Sequence, residues 1–238
     1  MNKLNHNNHI QLLRAIAVIS VILFHTNPEI FSTGYLGVDI FFVISGYLIC
    51  KVLNKYTTFN KSLLVNFYTR RARRTLPALI VMILATFPFF LGILMPDNLV
   101  DYAQSLIVTP LFLSNFLFGS ENSYWGAISE LKPLLHTWSL SVELQFYLIW
   151  PIIIFIIYKI FKKKTVIFIL LIFLLSLFLS TIYSERTTGY FYFTLFRLFE
   201  FAIGSIIFLI QDKIKIKSND LFFFIGILII IMASFTFS

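Results

Sequence analysis

Thiols, carboxylates and charge in general are scarce in this chain. A single cysteine, Cys50, excludes a disulfide framework and any multi-thiolate metal centre. Charged residues make up 13% of the sequence and hydrophobic residues 58%, against roughly a quarter and a half in soluble domains. No internal repeat, low-complexity tract or second domain interrupts the 238 residues. Of four histidines, only His25 and His136 lie outside the polar leader, and neither belongs to a His-x-x-x-His or Glu-x-x-His pattern, so no metal site is expected. The net charge of +8 does not point to nucleic acid. The basic residues sit in short clusters between apolar runs, which reads as membrane topology and contact with anionic lipid or ligand.

What is present in abundance is lipid-compatible sequence, with 29 phenylalanines. About 20 apolar residues span a bilayer, and seven stretches qualify: 10–26, 35–52, 75–95, 142–160, 165–183, 190–211 and 221–238. The leader carries only Lys3 and no small-residue cleavage site follows the first run, so that run is a retained span and not a signal peptide. Links 51–74, 159–164 and 213–217 hold most of the basic charge, whereas 27–34, 97–137 and 184–189 hold little. That alternation places the N-terminus in the cytoplasm. Tyr102–Phe118 is also apolar, but it contains Pro110, and counting it would put 159–164 on the wrong side. It reads as a re-entrant or interfacial helix covered by protein. The expected fold is an all-α polytopic transmembrane helix bundle of about seven spans plus that one helix. It forms a single domain over 1–238, and the apolar run 222–237 without a polar flank reads as a domain incomplete at its C-terminus.

The polar exceptions inside these spans carry the chemistry, because intramembrane charge is expensive and usually faces a cavity. Arg14 and His25 are eleven residues apart on the first span. That is close to three helical turns, so they share a face about 16 Å apart along the axis. Each has a plainer reading, Arg14 as a snorkelling anchor and His25 as a helix–helix hydrogen-bonding residue. Asp39, about one turn into the second span, lies near the depth of His25 and could charge-balance its imidazole, while Ser45 and Gly46 suit close helix packing. Arg70, Arg71, Arg73 and Arg74 precede the third span, either as a topogenic stop or as guanidinium forks for a phosphate-bearing ligand. His136, Trp138, Ser139 and Glu143 open the fourth span with a polar density that packing alone does not explain, and His136, Ser139 and Glu143 recur on one helical face. Arg197 and Glu200 stand one turn apart in the sixth, where they can pair with each other or border the same cavity.

Taken together, these motifs resemble the membrane-bound acyltransferase 3 family of bacterial sugar O-acyltransferases. The resemblance runs from Gln11 to about Gly204. It rests on Leu13-Arg14-Ala-Ile-Ala-Val with His25 following, Gly34-Tyr-Leu-Gly-Val-Asp39-Ile-Phe-Phe-Val-Ile-Ser-Gly46, Arg70-Arg-Ala-Arg-Arg-Thr-Leu-Pro77, Thr137-Trp-Ser-Leu-Ser-Val-Glu143 and Phe196-Arg-Leu-Phe-Glu-Phe-Ala-Ile-Gly204. It implies transfer of an acyl group, usually acetyl, from cytoplasmic acyl-CoA to a hydroxyl of an envelope carbohydrate such as lipopolysaccharide O-antigen or capsule. No cofactor would be permanently bound, and acetyl-CoA would serve as donor. The family's essential Arg and His fall on Arg14 and His25, its basic motif on Arg70, Arg71, Arg73 and Arg74, and its Trp-Ser-Leu-x-x-Glu motif on Trp138, Ser139 and Glu143. His25 would be catalytic with Asp39 or Glu143 in support, and the remaining residues would bind donor or acceptor. The implied location is a bacterial inner membrane. Two departures stand out: Leu144 replaces a second carboxylate, and the family core typically has about ten spans. The competing readings are an inactive truncated remnant or a non-enzymatic transporter, although the inverted repeats expected of the latter are not visible.

Overall fold

Residues 2–53, 61–120, 131–161, 164–184, 188–214 and 225–228 are described in the computed structural model, and their regular elements are all helical. In chain order these are α1 (Asn2–Thr26), α2 (Leu36–Leu53), α3 (Lys61–Ile93), α4 (Pro96–Val108), α5 (Ser114–Ser120), α6 (Thr137–Phe161), α7 (Thr165–Ser184), a 3-10 segment (Thr188–Tyr192) and α8 (Thr194–Ile214). Six of them are long and apolar enough to cross a membrane: Asn8–Thr26, Leu36–Leu53, Val65–Ile93, Thr137–Phe161, Thr165–Ser184 and Thr194–Gln211. They match the first six expected spans. The seventh, 221–238, lies outside the described residues apart from a helical turn at 225–228. Exposed Ile80, Val81, Leu84 and Phe89 on α3, and Leu170, Leu171, Leu174 and Phe178 on α7, give those helices the apolar surface that hydrocarbon requires.

Two boundaries differ from the sequence reading. The third helix begins at Lys61, so Arg70–Arg74 lie within α3 and not in a link before residue 75. Arg and Lys are good helix formers whose long stems can run along apolar surface, so their charge does not end the helix. Pro77 and Pro88 are also accommodated inside it. The stretch Tyr102–Phe118 is neither a span nor one helix. It is divided between α4 and α5 by a turn at 109–113 in which Phe112 adopts φ 57°. Pro96 at the first position of α4, with Asp97 beside it, sets that helix's start after the extended Met95.

The chain divides into two compact units. The first comprises Met1–Val52, Val166–Phe173 and Phe199–Ser238. Here α1 and α2 run antiparallel. A Cβ on Gly37 would press on Ala17 and Ser20, and one on Gly34, just before α2, would press on Ser20 and Phe24, so rising numbers along this stretch meet falling numbers in α1. Close packing at Ser45 and Gly46 is borne out. A Cβ on Gly46 would overlap the Phe201 carbonyl, with its carbon 2.7 Å away, and one on Gly204 would overlap the Val43 carbonyl and stand 2.9 Å from Tyr47 N. The rings of Phe42 and Phe201 stack at 4.6 Å, Ser205 Oγ donates to Gly46 O at 3.2 Å, and Tyr47 Oη donates to Gln211 Oε1 at 2.9 Å. Small residues permit this backbone approach, and dispersion with hydrogen bonding then replaces the hydrophobic drive that lipid cannot supply.

The second unit comprises Leu53–Thr165 and Leu174–Leu198. Its centre is α6, with Trp150 and Pro151 fully buried. The N-terminal half of α3 lies against the middle of α6, where Tyr68 Oη donates to Leu148 O at 3.1 Å and the Phe67 and Tyr147 rings meet edge to face at 6.2 Å. Further along α3, Phe90 meets Tyr102 of α4 at 5.4 Å.

Candidate functional site

The first unit carries Arg14, His25, Asp39 and Glu200. Arg14 is half-buried on α1, and His25 is exposed in its last turn. The His25 imidazole Nδ1 lies 2.8 Å from the Val21 carbonyl oxygen, one turn earlier. A carbonyl only accepts, so Nδ1 is the donor in this contact, and Nε2 is the ring nitrogen not engaged by it. The Phe24 ring abuts the imidazole edge to face at 5.3 Å. Asp39 occupies the first turn of α2, where the helix N-terminus favours a carboxylate. The antiparallel α1–α2 hairpin therefore brings the His25 end of one helix and the Asp39 end of the other to the same side. Glu200 is buried on α8, at 4% exposure.

The second unit carries the remaining candidates. Arg71 reaches α6, with its guanidinium 4.2 Å from the centre of the Tyr147 ring and 5.8 Å from that of Phe67. Arg70, Arg73 and Arg74 are exposed. The basic motif is thus one inward arginine and three outward ones, since residue 71 sits about 100° around the helix from residue 70. Glu143, half-buried on α6, accepts a hydrogen bond from Tyr147 Oη one turn on. Trp138 is buried, and its ring meets Phe191 at 4.8 Å and Tyr192 at 5.3 Å. Arg197 closes this cluster. Its Nε donates to Phe191 O at 3.2 Å, and its guanidinium lies 3.8 Å from the Phe191 ring and 5.9 Å from that of Trp138. A cation this desolvated gains about 2 kcal/mol from aromatic faces. Burial pushes the Tyr192 phenol above the ordinary tyrosine value, so it remains a neutral donor.

The expected polar face of His136, Ser139 and Glu143 is not the one α6 buries. His136 is exposed in the turn before the helix, and Ser139 Oγ donates to its backbone carbonyl at 3.1 Å. The inward stripe is buried Thr137 and Ser141 with half-buried Gln145, at i, i+4 and i+8. Ser141 Oγ and Ser114 Oγ are 2.7 Å apart, Thr137 Oγ1 donates to Ser114 Oγ at 3.0 Å, and Thr109 Oγ1 lies 3.3 Å from Thr137 Oγ1. Gln145 Nε2 donates to Phe112 O at 2.9 Å and Asn115 Oδ1 at 2.8 Å, while its Oε1 accepts from Asn115 Nδ2 at 3.3 Å and from Thr194 Oγ1. Asn115 Nδ2 also donates to Tyr192 O at 3.2 Å.

This network explains why the broken segment between α4 and α5 is tolerated. The Phe112 carbonyl is satisfied by a carboxamide from α6. The sequence signal for it is Thr109, Ser114 and Asn115 within an otherwise apolar stretch, matched by hydroxyl and carboxamide residues spaced by four on α6. Replacing Gln145 with Leu leaves the part-buried Phe112 carbonyl and Thr194 hydroxyl without that partner, at about 1 kcal/mol or more for each group. The expected result is a thermal transition in detergent lowered by at least about 2 kcal/mol of stability, and an unchanged transition would refute the network's role.

A family model described as "Acyltransferase domain" matches residues 7–238. The O-acetyltransferase OatA of Staphylococcus aureus strain NCTC 8325 is 38% identical over 156 residues, which is 65% of this chain and 26% of that protein. A putative O-acetyltransferase of strain COL is 37% identical over 153 residues, 64% of this chain and 25% of the relative. The matched part is thus about a quarter of the length of these curated relatives. No solved structure matches. With Arg14, His25, the α3 arginines and the Trp138–Glu143 segment all in helices of a polytopic all-α fold, the chain belongs to the acyltransferase 3 family.

Proposed function

We propose that this chain transfers an acetyl group from acyl-CoA, presented at the cytoplasmic face, to a hydroxyl of an envelope carbohydrate in a bacterial inner membrane. The observation that carries the reading is the His25 imidazole, whose Nδ1 is committed to the Val21 carbonyl while Nε2 stays available on an exposed ring. O-acetyl transfer is named in both relatives. In the reaction, Nε2 takes the proton of the acceptor hydroxyl as its oxygen attacks the thioester carbonyl, and the C–S bond breaks. The imidazolium then returns the proton to the departing CoA thiolate. Asp39, at the same end of the α1–α2 hairpin, supplies negative charge for the imidazolium. The arginines of α3 take the donor's phosphates, for which guanidinium forks are well matched. Trp138 and Arg197, with His136, line the acceptor's path, and Ser139 supports its start.

The test is acetyl transfer in membranes containing this 238-residue chain, with labelled acetyl-CoA and isolated envelope glycans. Label in glycan that depends on the chain supports the reading. Absence of label at confirmed expression, with every glycan class supplied, would remove it in favour of a non-catalytic membrane protein.

A further inference from the structure

Glu143 and Arg71 come from different helices and carry opposite charges, yet both are held by one side chain. Tyr147 is 4% exposed. Its hydroxyl donates to Glu143 Oε1, and its ring face receives the Arg71 guanidinium at 4.2 Å. Phe67 fixes the ring from the side at 6.2 Å, and its own ring stands 5.8 Å from the same guanidinium. Phe67 and Arg71 are one turn apart on α3, so they present a single surface to Tyr147.

We propose that Tyr147 is a positioning residue that sets Arg71 and Glu143 in a fixed register, its ring taking the cation and its hydroxyl the carboxylate. The division of labour follows from chemistry. A guanidinium held by an aromatic face keeps its planar N–H fork for another partner, whereas one paired with a carboxylate spends that fork. Placing a phenol between the two charges therefore leaves Arg71 able to take an anion such as a phosphate oxygen. The same phenol orients the carboxylate, which retains lone pairs for a second donor. The inference rests on the acyl-CoA reading above for the identity of the anion.

Two substitutions separate the two halves of the side chain. Tyr147→Phe keeps the ring and removes the hydrogen bond, and Tyr147→Leu removes both. In the full chain purified in detergent, Tyr147→Phe should lower kcat about tenfold or more, the worth of a hydrogen bond to a charged group, with KM and CoA binding within about twofold of the unsubstituted chain. Tyr147→Leu should in addition weaken CoA binding about threefold to thirtyfold, the range of a cation–π contact. If that variant does not accumulate, Arg71→Gln reports the same loss of CoA binding. A second readout needs no substrate. The infrared carboxylate band of Glu143, isolated as the difference from Glu143→Gln, should move in Tyr147→Phe. Equal kcat and an unmoved band in Tyr147→Phe would overturn the proposal. An unsubstituted chain that binds no CoA would instead overturn the acyl-CoA reading, while a displaced band would still sustain the register of Glu143.

Discussion

Replacing His25 with alanine is expected to lower acetyl transfer by about 10²–10⁴-fold, the usual contribution of a positioned general base, while leaving the amount of protein in the membrane unchanged. The second half of that expectation follows from exposure. The ring lies in the last turn of α1, and among the described residues it bonds to the Val21 carbonyl of its own helix and touches Phe24 beside it. Its removal opens no cavity in the core and orphans no distant partner. His25→Gln refines the test, because a carboxamide can mimic one hydrogen bond of the imidazole but cannot shuttle a proton at neutral pH. Labelled transfer at the unsubstituted rate in either variant would eliminate His25 as the base. A fall in membrane abundance parallel to the fall in activity would mean that the residue serves folding instead.

Gly46→Val is expected to have the largest effect on stability. A Cβ at residue 46 would overlap the Phe201 carbonyl, and the obstructing atoms are backbone, so no rotamer change relieves the clash. The Ser205 hydrogen bond to Gly46 O would be lost when α2 and α8 separate, along with the Phe42–Phe201 stack. Overpacking in a rigid core costs about 1–3 kcal/mol or more, which is a large part of the roughly 5–15 kcal/mol that keeps a domain folded. The measurement is accumulation and thermal unfolding of the variant in detergent, with Gly204→Val, which meets the Val43 carbonyl from the other side, as its counterpart. A Gly46→Val chain that melts like the original would show that the two helices do not depend on this approach.

The sequence disclosed the parts of the fold that lipid dictates. Runs of about 20 apolar residues have few alternatives to a spanning helix, so six spans were legible to within a few residues at most ends. The ends that misled were those where polar side chains continue a helix. Arg70–Arg74 read as a link because charge usually closes a span, whereas in α3 the Arg71 stem runs inward to Tyr147. The break inside Tyr102–Phe118 was partly legible through Pro110. Its division into α4 and α5 was not, because it depends on the Phe112 carbonyl finding Gln145, a contact across 33 residues.

Site residues followed the same division. Arg14, His25 and Asp39 were visible as polar exceptions on apolar helices. The face of α6 carrying His136, Ser139 and Glu143 follows from spacing, whereas the face carrying Thr137 and Ser141 is set by what packs against it. Burial selected the latter pair, whose hydroxyls can satisfy one another inside the unit. The contact of Tyr147 with Arg71 on α3 could not be read from sequence spacing.

The amide of Asn115 has a further consequence, one of timing. Its partner, the Tyr192 carbonyl, lies 77 residues further along the chain. At synthesis rates of about 5–20 residues per second, α5 leaves the ribosome roughly 4–15 s before that partner exists. Through this interval the hydroxyls and carboxamides of residues 109–115 must be hydrated or held by the insertion machinery, since bare hydrocarbon would not tolerate them. The α4–α5 segment therefore takes its final seat only after α6 and the 188–194 stretch have been delivered, and biogenesis of this protein ends with a late polar docking event and not with the insertion of each helix in turn.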